Sequence, residues 1–239
     1  DGCRGGWAVA IKQPDRPIRL EVRPLLSKLA HHRDALRCFI DMPIGLPRAG
    51  PRACDGLARR LLGRRAATVF PVPCRRAIYA GDYRRASAIN VKCQGRGLSR
   101  QLWNLVSKII EADRLLRTDP AGLRLHESHP ELCFAALNGG RPLLSKKRNR
   151  RGIAERVRLL ETVDAEAAAA YSDSVGPLRG EGAGPDDLLD ALVLAISAAQ
   201  PTHRWRMLPD PPERDEFGLA MAIVFPVADL RCPVAVANP

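Results

Sequence analysis

The amino-acid sequence predicts an α/β fold in which a mixed five-stranded sheet is flanked by helices. Two β-favouring runs lie near the start of the chain, a short buried strand ends at Ile40, and an almost entirely apolar helix covers residues 186–199. After the buried strand, residues 52–120 combine helical spacing with proline-interrupted stretches. We therefore expect one domain over residues 1–225 with an insertion at about 52–120, followed by a tail at 226–239.

The elements before the insertion follow the order strand, strand, strand, helix, strand. Flexible glycines separate Asp1 from a strand at 7–12, and residues 18–25 alternate apolar and charged side chains, as a half-exposed strand does. Ser27 is suited to cap a short helix that reaches Arg37. The apolar run that ends at Ile40 is typical of a strand buried on both faces.

The rest of the chain alternates helices with short strands. The predicted elements are, in chain order, a helix at 52–62, an irregular stretch at 66–81, a polar linker to Gly97, a helix at 99–117, a strand at 123–127, a helix from Ser128, a helix at 153–170, a glycine-rich linker at 172–184, the last helix, a proline-rich turn at 209–212 and a strand at 219–225.

The chain is strongly basic, with a formal net charge of +12 from 38 lysines and arginines against 26 acidic residues. Much of the excess lies in two blocks at 48–76 and 141–158, each with eight basic residues and one acidic residue. Such a surface attracts phosphate-rich partners such as nucleic acid. A proteome that generally favours arginine would explain the same charge without that partner.

Cysteine usage and hydropathy indicate the environment in which the protein is expected to work. Seven cysteines without a CxxC pair favour reduced thiols, and we expect a cytoplasmic protein. No apolar run approaches the roughly 20 residues that a membrane-spanning helix requires, so no membrane partner is expected. The sequence makes no prediction of the oligomeric state.

Asp41 follows the buried strand directly, at a point where the chain must turn. Pro43 cannot donate to a strand ladder, and Gly45 and Pro47 keep the backbone turning. In open α/β sheets, ligands lie just beyond the carboxyl ends of the strands. Asp41 is therefore either the first residue of a turn or part of a site. Other acidic residues that converge on the same point would favour a site.

The last helix places Asp190 inside an apolar run from Leu188 to Ile196. Burying this carboxylate without a partner would be costly, so it needs a cation or a hydrogen-bond donor. Asp187 lies three residues earlier and hence on the same face. Its position in the first turn also has a purely structural explanation, because acidic groups there interact favourably with the helix dipole.

Asp1, Asp41, Asp187 and Asp190 form a candidate cluster, since they flank the first strand, end the fourth and lie on the last helix. Converging carboxylates repel one another, and Mg²⁺ or Mn²⁺ is the usual reason for such a cluster. Two ions about 3.5–4 Å apart would activate a water and stabilise the leaving oxygen of a phosphodiester. The histidines lack zinc-ligand spacing, and no glycine-rich loop carries a Walker lysine.

Other acidic residues have structural explanations. Asp55 lies four residues before Arg59 and is expected to form a helix ion pair with it. Glu131 fits the last position of a capping box at the start of its helix. Asp113 falls on the apolar face of its helix, which favours an arginine partner from another segment over a catalytic role. Glu127, at the end of a predicted strand, has no such explanation.

Several motifs together resemble an uncharacterised domain-of-unknown-function family of predicted RNase H-like nucleases. They are DGCRGGW, IDMPIGLP, HESHPE, SKK followed by Gly152, DDLLDALVLA and LPDPPERDEFGL, and the similarity runs to about Phe225. The last helix also resembles that of RuvC-type resolvases, in which paired acids three residues apart precede Ala-Leu. The resemblance implies an RNase H-like fold with metal-ligand positions at Asp1, Asp41, Asp187 and Asp190.

We therefore expect a nuclease that uses Mg²⁺ or Mn²⁺ to hydrolyse phosphodiester bonds of DNA or RNA. Its catalytic residues would be the four aspartates and Glu127, which lies with His129 in a family motif whose role is not assigned. The residues expected to contact nucleic-acid phosphates are Lys146, Lys147, Arg148, Arg52 and Arg59.

Two other functions fit the same residues. One is a nucleic-acid-binding module that keeps the fold and the charge but has no turnover. The other is a nucleotide hydrolase or phosphotransferase of the actin-like branch, which shares the strand order and uses acids near a glycine-rich first hairpin. Incubation with nucleic acids in the presence and absence of Mn²⁺ separates these possibilities.

Overall fold

The computed structural model describes residues 1–32, 37–119 and 123–227. Its strands are β1 (Gly2–Cys3), β2 (Gly6–Ile11), β3 (Arg19–Arg23), β4 (Cys38–Ile40), β5 (Leu125–Glu127), β6 (Trp205–Arg214) and β7 (Ala220–Pro226). They form three small sheets: antiparallel β1-β2-β3, parallel β4-β5 and antiparallel β6-β7. The mixed α/β architecture is confirmed, whereas the described residues do not form one continuous five-stranded sheet.

The described part of the chain also contains both α-helices and 3₁₀ turns. The helices are α1 (Ala53–Leu62), α2 (Arg75–Ile78), α3 (Tyr83–Gln94), α4 (Arg100–Trp103), α5 (Val106–Thr118), α6 (Pro130–Leu137), α7 (Arg150–Val163), α8 (Ala167–Gly180) and α9 (Pro185–Ala199), and the 3₁₀ turns are Leu26–His32, Gly63–Thr68 and Thr202–Arg204. The helices predicted at 52–62 and 186–199 are confirmed as α1 and α9. The helix predicted over 99–117 is divided into α4 and α5.

Two segments predicted to be linkers are helical instead. The polar linker before Gly97 contains α3, whose start is capped by Asp82 accepting a hydrogen bond from Arg85 N at 2.9 Å. Most of the predicted linker at 172–184 belongs to α8, even though Pro177 lies inside this helix. α8 packs against α7, α9 and β3, and this tertiary packing outweighs the low helix propensity of its glycines and proline.

The proline-rich turn predicted at 209–212 is part of β6. The backbone there has cis peptide bonds at Leu208–Pro209 and Asp210–Pro211, and the pairing with β7 shifts register between Leu208 and Glu213. Prolines are tolerated because β6 belongs to a two-stranded sheet, where a missing N–H can face away from the partner strand. The strand predicted at 219–225 is confirmed as β7.

Helix α9 is the element shared by all three sheets. It contacts β2, β4 and β7, one strand from each sheet, and it also packs against α6, α7 and α8. The apolar run from Leu188 to Ile196 explains this position, because nearly every side chain in it is buried. The helix that carries Asp190 therefore lies where the three sheets meet.

The buried apolar side chains form two clusters. The first is built around α9 and includes residues of α1, α6 and β7. The second contains Trp7, the residues that follow β4, and residues of α2, α3, α4 and α5. Helix α1 thus packs in the first cluster although it belongs to the expected insertion, while the rest of the insertion forms much of the second.

Some predictions lie partly or wholly outside the described residues. The short helix expected from Ser27 corresponds to the 3₁₀ turn Leu26–His32 as far as the chain is described, and only residues 226–227 of the expected tail are described. Among the described helices, none combines the length and the apolar composition needed to cross a bilayer. The described cysteines are free thiols.

Candidate metal centre

The loop that begins at Asp41 is held in place by buried side chains. Glu127, at the end of β5, accepts a hydrogen bond from Ile44 N at 2.7 Å. Arg52 donates to Ile44 O at 3.2 Å and to Gly45 O at 3.3 Å. Backbone N–H and C=O groups of the loop are therefore both held by buried side chains. This anchoring fixes the position of Asp41 at the end of β4.

A second anchor comes from Asp215, which follows β6. Its carboxylate accepts hydrogen bonds from Leu46 N at 3.1 Å and from Leu219 N at 2.9 Å, and it forms an ion pair with Arg75. The side chain of Asp215 is fully buried. This residue of the motif LPDPPERDEFGL therefore joins the β6–β7 hairpin to the far end of the Asp41 loop.

Asp1, Asp41 and Asp190 converge at one point. Each offers a carboxylate oxygen, and the three oxygens lie within 4.8 Å of one another. Asp1 extends the β1–β2 pairing by exchanging two backbone hydrogen bonds of 2.8 Å with Ala8. Chain segments that are 40 and 149 residues apart along the sequence numbering thus meet at a single acidic triad.

Asp190 is the most buried member of the triad, with only 1% of its surface exposed. Burial raises the pKa of its carboxyl from the usual 3.8 to about 6, although Lys147 lowers it and Asp41 raises it further. Its Oδ1 atom is buried and accepts no hydrogen bond from the described residues. An unsatisfied carboxylate oxygen at this depth is a position where a cation would be stabilised.

Lys147 contributes a positive charge to the triad. Its ammonium group forms an ion pair and hydrogen bond with Asp190 Oδ2, while 34% of the lysine side chain remains exposed. Burial alone would lower the pKa of Lys147, but the carboxylate of Asp190 raises it above the usual value. The neighbouring Arg148 donates from Nε to Asp186 at 2.9 Å. The basic loop is therefore folded onto the first turns of α9.

Gly152 allows this loop to take its shape. A Cβ atom at Gly152 would lie 2.1 Å from Lys146 O, which is closer than any real contact of this kind. Asn149 caps α7 by accepting from Gly152 N at 2.7 Å. The motif SKK followed by Gly152 therefore has a physical explanation, because the loop turns tightly against the start of α7.

Asp187 lies beside the triad but is not one of its three members. Its Oδ2 atom accepts a hydrogen bond from Gly184 N at 2.8 Å and so caps α9. Burial raises the pKa of its carboxyl. The structure thus gives Asp187 a structural role, and the predicted role as a metal ligand stays a prediction.

Glu127 and Arg52 form a buried ion pair that gives both a structural role, while the predicted catalytic role of Glu127 stays a prediction. The Arg52 guanidinium binds Glu127 through two hydrogen bonds of 2.7 Å and binds Asp55 through one of 2.6 Å. Burial would lower the pKa of Arg52, but the two carboxylates raise it well above its usual value. With 2% of its surface exposed, Arg52 is not available to a phosphate. Glu127 positions the Asp41 loop, because both of its oxygens already accept hydrogen bonds.

The other predicted contacts of acidic residues have mixed outcomes. The expected arginine partner of Asp113 is confirmed, since Arg75 binds it at 2.5 Å. The expected pair of Asp55 with Arg59 is wrong, because Asp55 binds Arg52. The expected capping box of Glu131 is also wrong, because that carboxylate instead binds Arg156 at 2.7 Å and Arg65 at 3.0 Å.

The remaining residues expected to contact phosphates lie at different depths. Lys146 and Arg59 are exposed, and Arg59 donates to Val69 O at 2.9 Å. Arg148 has 81% of its side chain exposed despite its contact with Asp186. These residues remain candidates for phosphate contacts, whereas Arg52 does not.

The donor set of the triad fits a hard divalent cation. Three carboxylates supply oxygen ligands only, and oxygen is the ligand that Mg²⁺ and Mn²⁺ prefer. The unpartnered Oδ1 of Asp190 leaves a coordinating atom unused among the described contacts. The triad could therefore hold a metal ion.

Comparisons with known proteins place the chain in a family. Searches against curated proteins and against solved structures gave no match. One family profile matches residues 1–214, nearly all of the chain that carries the elements described above. The chain belongs to the family described as "Protein of unknown function (DUF429)".

Proposed function

We propose that the protein is a nuclease that hydrolyses phosphodiester bonds of nucleic acid with the help of Mg²⁺ or Mn²⁺. The observation that carries the proposal is the triad of Asp1, Asp41 and Asp190, whose carboxylate oxygens lie within 4.8 Å of one another. When bound, the metal would lower the pKa of a water and stabilise the charge that develops on the leaving oxygen. The resemblance of the motifs to predicted RNase H-like nucleases supports the same reaction and extends it to an RNase H-like fold.

The chain's own residues have distinct roles in this proposal. Asp1, Asp41 and Asp190 hold the metal, and the tied loop after β4 keeps Asp41 in position without a ligand. Lys147 places an ammonium group beside the triad, where it can contact a phosphate oxygen. Arg148 and Lys146 lie on the same basic loop. In this proposal they contact the sugar–phosphate backbone of the nucleic acid on either side of the cleaved bond.

The test is incubation of the protein with branched, duplex, hybrid and single-stranded substrates, each with Mn²⁺ and with EDTA. We expect cleavage of at least one substrate only with Mn²⁺, and loss of cleavage in Asp41→Asn. Val163→Ala, an exposed position at the end of α7, is a matched control that should cleave as the wild type does. Absence of cleavage of every substrate with either Mn²⁺ or Mg²⁺ would overturn the proposal.

The second candidate is a nucleic-acid-binding module without turnover. The ion pair between Lys147 and Asp190 favours it, because a lysine that already neutralises a buried carboxylate reduces the need for a metal. Binding that is unaffected by EDTA, together with no cleavage and no thermal stabilisation by Mn²⁺, would support this candidate over the nuclease.

A further inference from the structure

A cavity of about 120 Å³ opens beside the acidic triad, and Asp1 and Asp41 form part of its lining. Apolar side chains supply more of its other walls than polar ones do, and the polar part consists of the ion-paired Arg52, Asp55 and Glu127 together with Thr68, Ser128 and His129. The apolar lining includes Val69, Phe70, Val72, Leu102, Leu105 and Ile109. Phosphates and sugars would lose their hydration against such walls, so the cavity suits a different part of a nucleic acid.

The cavity lies where the two hydrophobic clusters meet. Val69 belongs to the cluster built around α9, whereas Val72, Leu102 and Ile109 belong to the cluster that contains much of the insertion. Ligand sites often lie at boundaries of this kind, with mostly apolar walls and a few polar groups. The insertion therefore supplies one wall of a space whose other end is the candidate metal centre.

The wall at residues 68–72 is fixed before any ligand binds. Arg59 donates to Val69 O at 2.9 Å, and Asp55 accepts from Val72 N at 3.3 Å. Protein interiors otherwise close to high packing density, so an open apolar space persists only where its walls cannot relax into it. These hydrogen bonds keep the space open, so the cavity is preformed.

One polar atom in the lining has no partner among the described residues. His129 Nδ1 is buried and makes no hydrogen bond, while Nε2 lies 3.3 Å from Thr68 O. A carbonyl oxygen only accepts, so Nε2 donates to it, and in the tautomer with its single proton on Nε2 the Nδ1 atom is an acceptor. A planar ring with an N–H group at its edge would complete this hydrogen bond.

We infer that the cavity binds one unpaired pyrimidine base of the nucleic acid that the triad cleaves. A cavity of about 150 Å³ lined by Leu, Ile and Phe binds benzene, so a space of about 120 Å³ matches a single six-membered ring. Pyrimidines are such rings, they carry N–H groups at their edges, and Phe70 places an aromatic side chain in the lining, the kind of group on which bases stack.

A base inside an intact duplex is paired and stacked, so it can enter the cavity only if it is extruded or already single-stranded. The substrate class is therefore nucleic acid with an unpaired nucleotide beside the cleaved bond. This inference rests on the proposed function, because it takes the triad as the place of cleavage.

The experiment compares two duplexes of one sequence, with and without a single bulged cytosine, as DNA and as RNA. Binding is measured by fluorescence anisotropy in Ca²⁺, so that the readout does not require cleavage. The wild type should bind at least one of the bulged duplexes more than about 5-fold tighter than its paired counterpart, in keeping with the stacking of one base on an aromatic ring.

Two variants test the cavity itself. Leu105→Trp fills it and Phe70→Ala removes the stacking ring, and each should lower the preference for the bulged duplex. Leu61→Trp is the matched control, because Leu61 is exposed on α1 outside the lining, and it should keep the preference. Thermal stabilisation by Mn²⁺ measures metal binding by the triad in every variant, independently of nucleic acid. If Leu105→Trp does not fold, the result for Phe70→Ala alone tests the cavity.

The outcomes separate the two proposals. If the protein cleaves but the wild type binds bulged and paired duplexes equally, or if both cavity variants keep the full preference, the cavity inference is wrong and the nuclease proposal stands. If Mn²⁺ gives neither stabilisation nor cleavage and no nucleic acid binds, both proposals are overturned.

Discussion

Replacing Asp190 by asparagine should leave the metal-free protein at neutral pH as stable as the wild type or more stable. The Asp190 carboxylate is buried close to Asp41, and its Oδ1 atom accepts no hydrogen bond from the described residues. Asparagine has nearly the same volume, carries no charge and keeps an oxygen that can accept from Lys147. The lysine is 34% exposed, so water can hydrate its ammonium group in the variant.

The magnitude follows from the pKa of Asp190. A pKa of about 6 in the folded protein, against a usual value of 3.8, means that ionisation of this group opposes folding. The difference corresponds to roughly 3 kcal/mol. Because the folded-state pKa is raised, the stabilising effect of the proton is complete below pH 3.8 and is lost as the pH rises through about 6. Asp190→Asn should not show this loss of folding stability with rising pH.

The assay is thermal unfolding of the wild type, Asp190→Asn and the matched control Asp187→Asn, with EDTA and with excess Mn²⁺. At pH 7.5 in EDTA, the melting temperature of Asp190→Asn should lie between that of the wild type and about 6–12 °C above it. Mn²⁺ at 100 times its Kd should stabilise the wild type by about 2.7 kcal/mol and leave Asp190→Asn unchanged. Asp187→Asn should keep the response, since its side chain caps α9.

Two results would refute this reasoning. A loss of about 3–5 kcal/mol in Asp190→Asn with EDTA would mean that the pair with Lys147 is a structural ion pair whose disruption leaves a buried charge. Equal stabilisation of the wild type and Asp190→Asn by Mn²⁺ would exclude Asp190 as a ligand. Loss of the response in Asp187→Asn would instead restore the predicted fourth ligand.

Four further substitutions, one of them with its own control, test the surroundings of the triad. Lys147→Met removes the cation that neutralises the buried carboxylate, so calorimetry should find tighter Mn²⁺ binding, and unchanged affinity would argue against competition for that carboxylate. Arg52→Met leaves two buried carboxylates without their cation and should destabilise by about 3–5 kcal/mol in urea unfolding, whereas a loss below about 1 kcal/mol would contradict the assigned anchoring role. Gly152→Ala should lower the melting temperature because its Cβ meets a carbonyl oxygen, while Gly56→Ala, at an exposed position inside α1 with open space, should stabilise by about 0.5–1 kcal/mol. Arg148→Gln should reduce the slope of log Kd against log salt by about 1, and an unchanged slope would make this side chain an ordinary solvated group.

The sequence was sufficient for the parts of the site that follow from local pattern. Asp41 was found because a buried strand stops beside it, and Asp190 because an acidic residue in an apolar helix has no local explanation. Asp113 was correctly expected to bind an arginine for the same reason. In each case the pattern of one segment alone marks the residue.

Partners that are distant in the sequence could not be predicted in this way. The sequence offered no structural explanation for Glu127, because its partner Arg52 lies 75 residues earlier. The contact between Lys147 and Asp190 spans 43 residues, and no local pattern predicts it. Periodicity indicates that a charge will be buried, but the choice of partner depends on how the helices and strands pack.

Prolines and glycines misled the assignment of elements for a related reason. They favour turns and linkers locally, yet β6 accommodates its prolines beside a single partner strand, and α8 is held by packing against its neighbours. The number of strands in one continuous sheet was likewise not predictable, because strand pairing such as that of β4 with β5 joins segments that lie on either side of the insertion.

The way the triad is supported divides the centre into a stiff part and an adaptable part. Asp41 rests on a loop fixed from two directions, and Asp190 lies on a helix that contacts all three sheets, so neither can move without disturbing the core. Lys147 instead projects from a surface loop on a long side chain with four rotatable carbons. An arriving anion can therefore be met by breaking one ion pair and changing the rotamer of one lysine, while Asp41 and Asp190 stay in place.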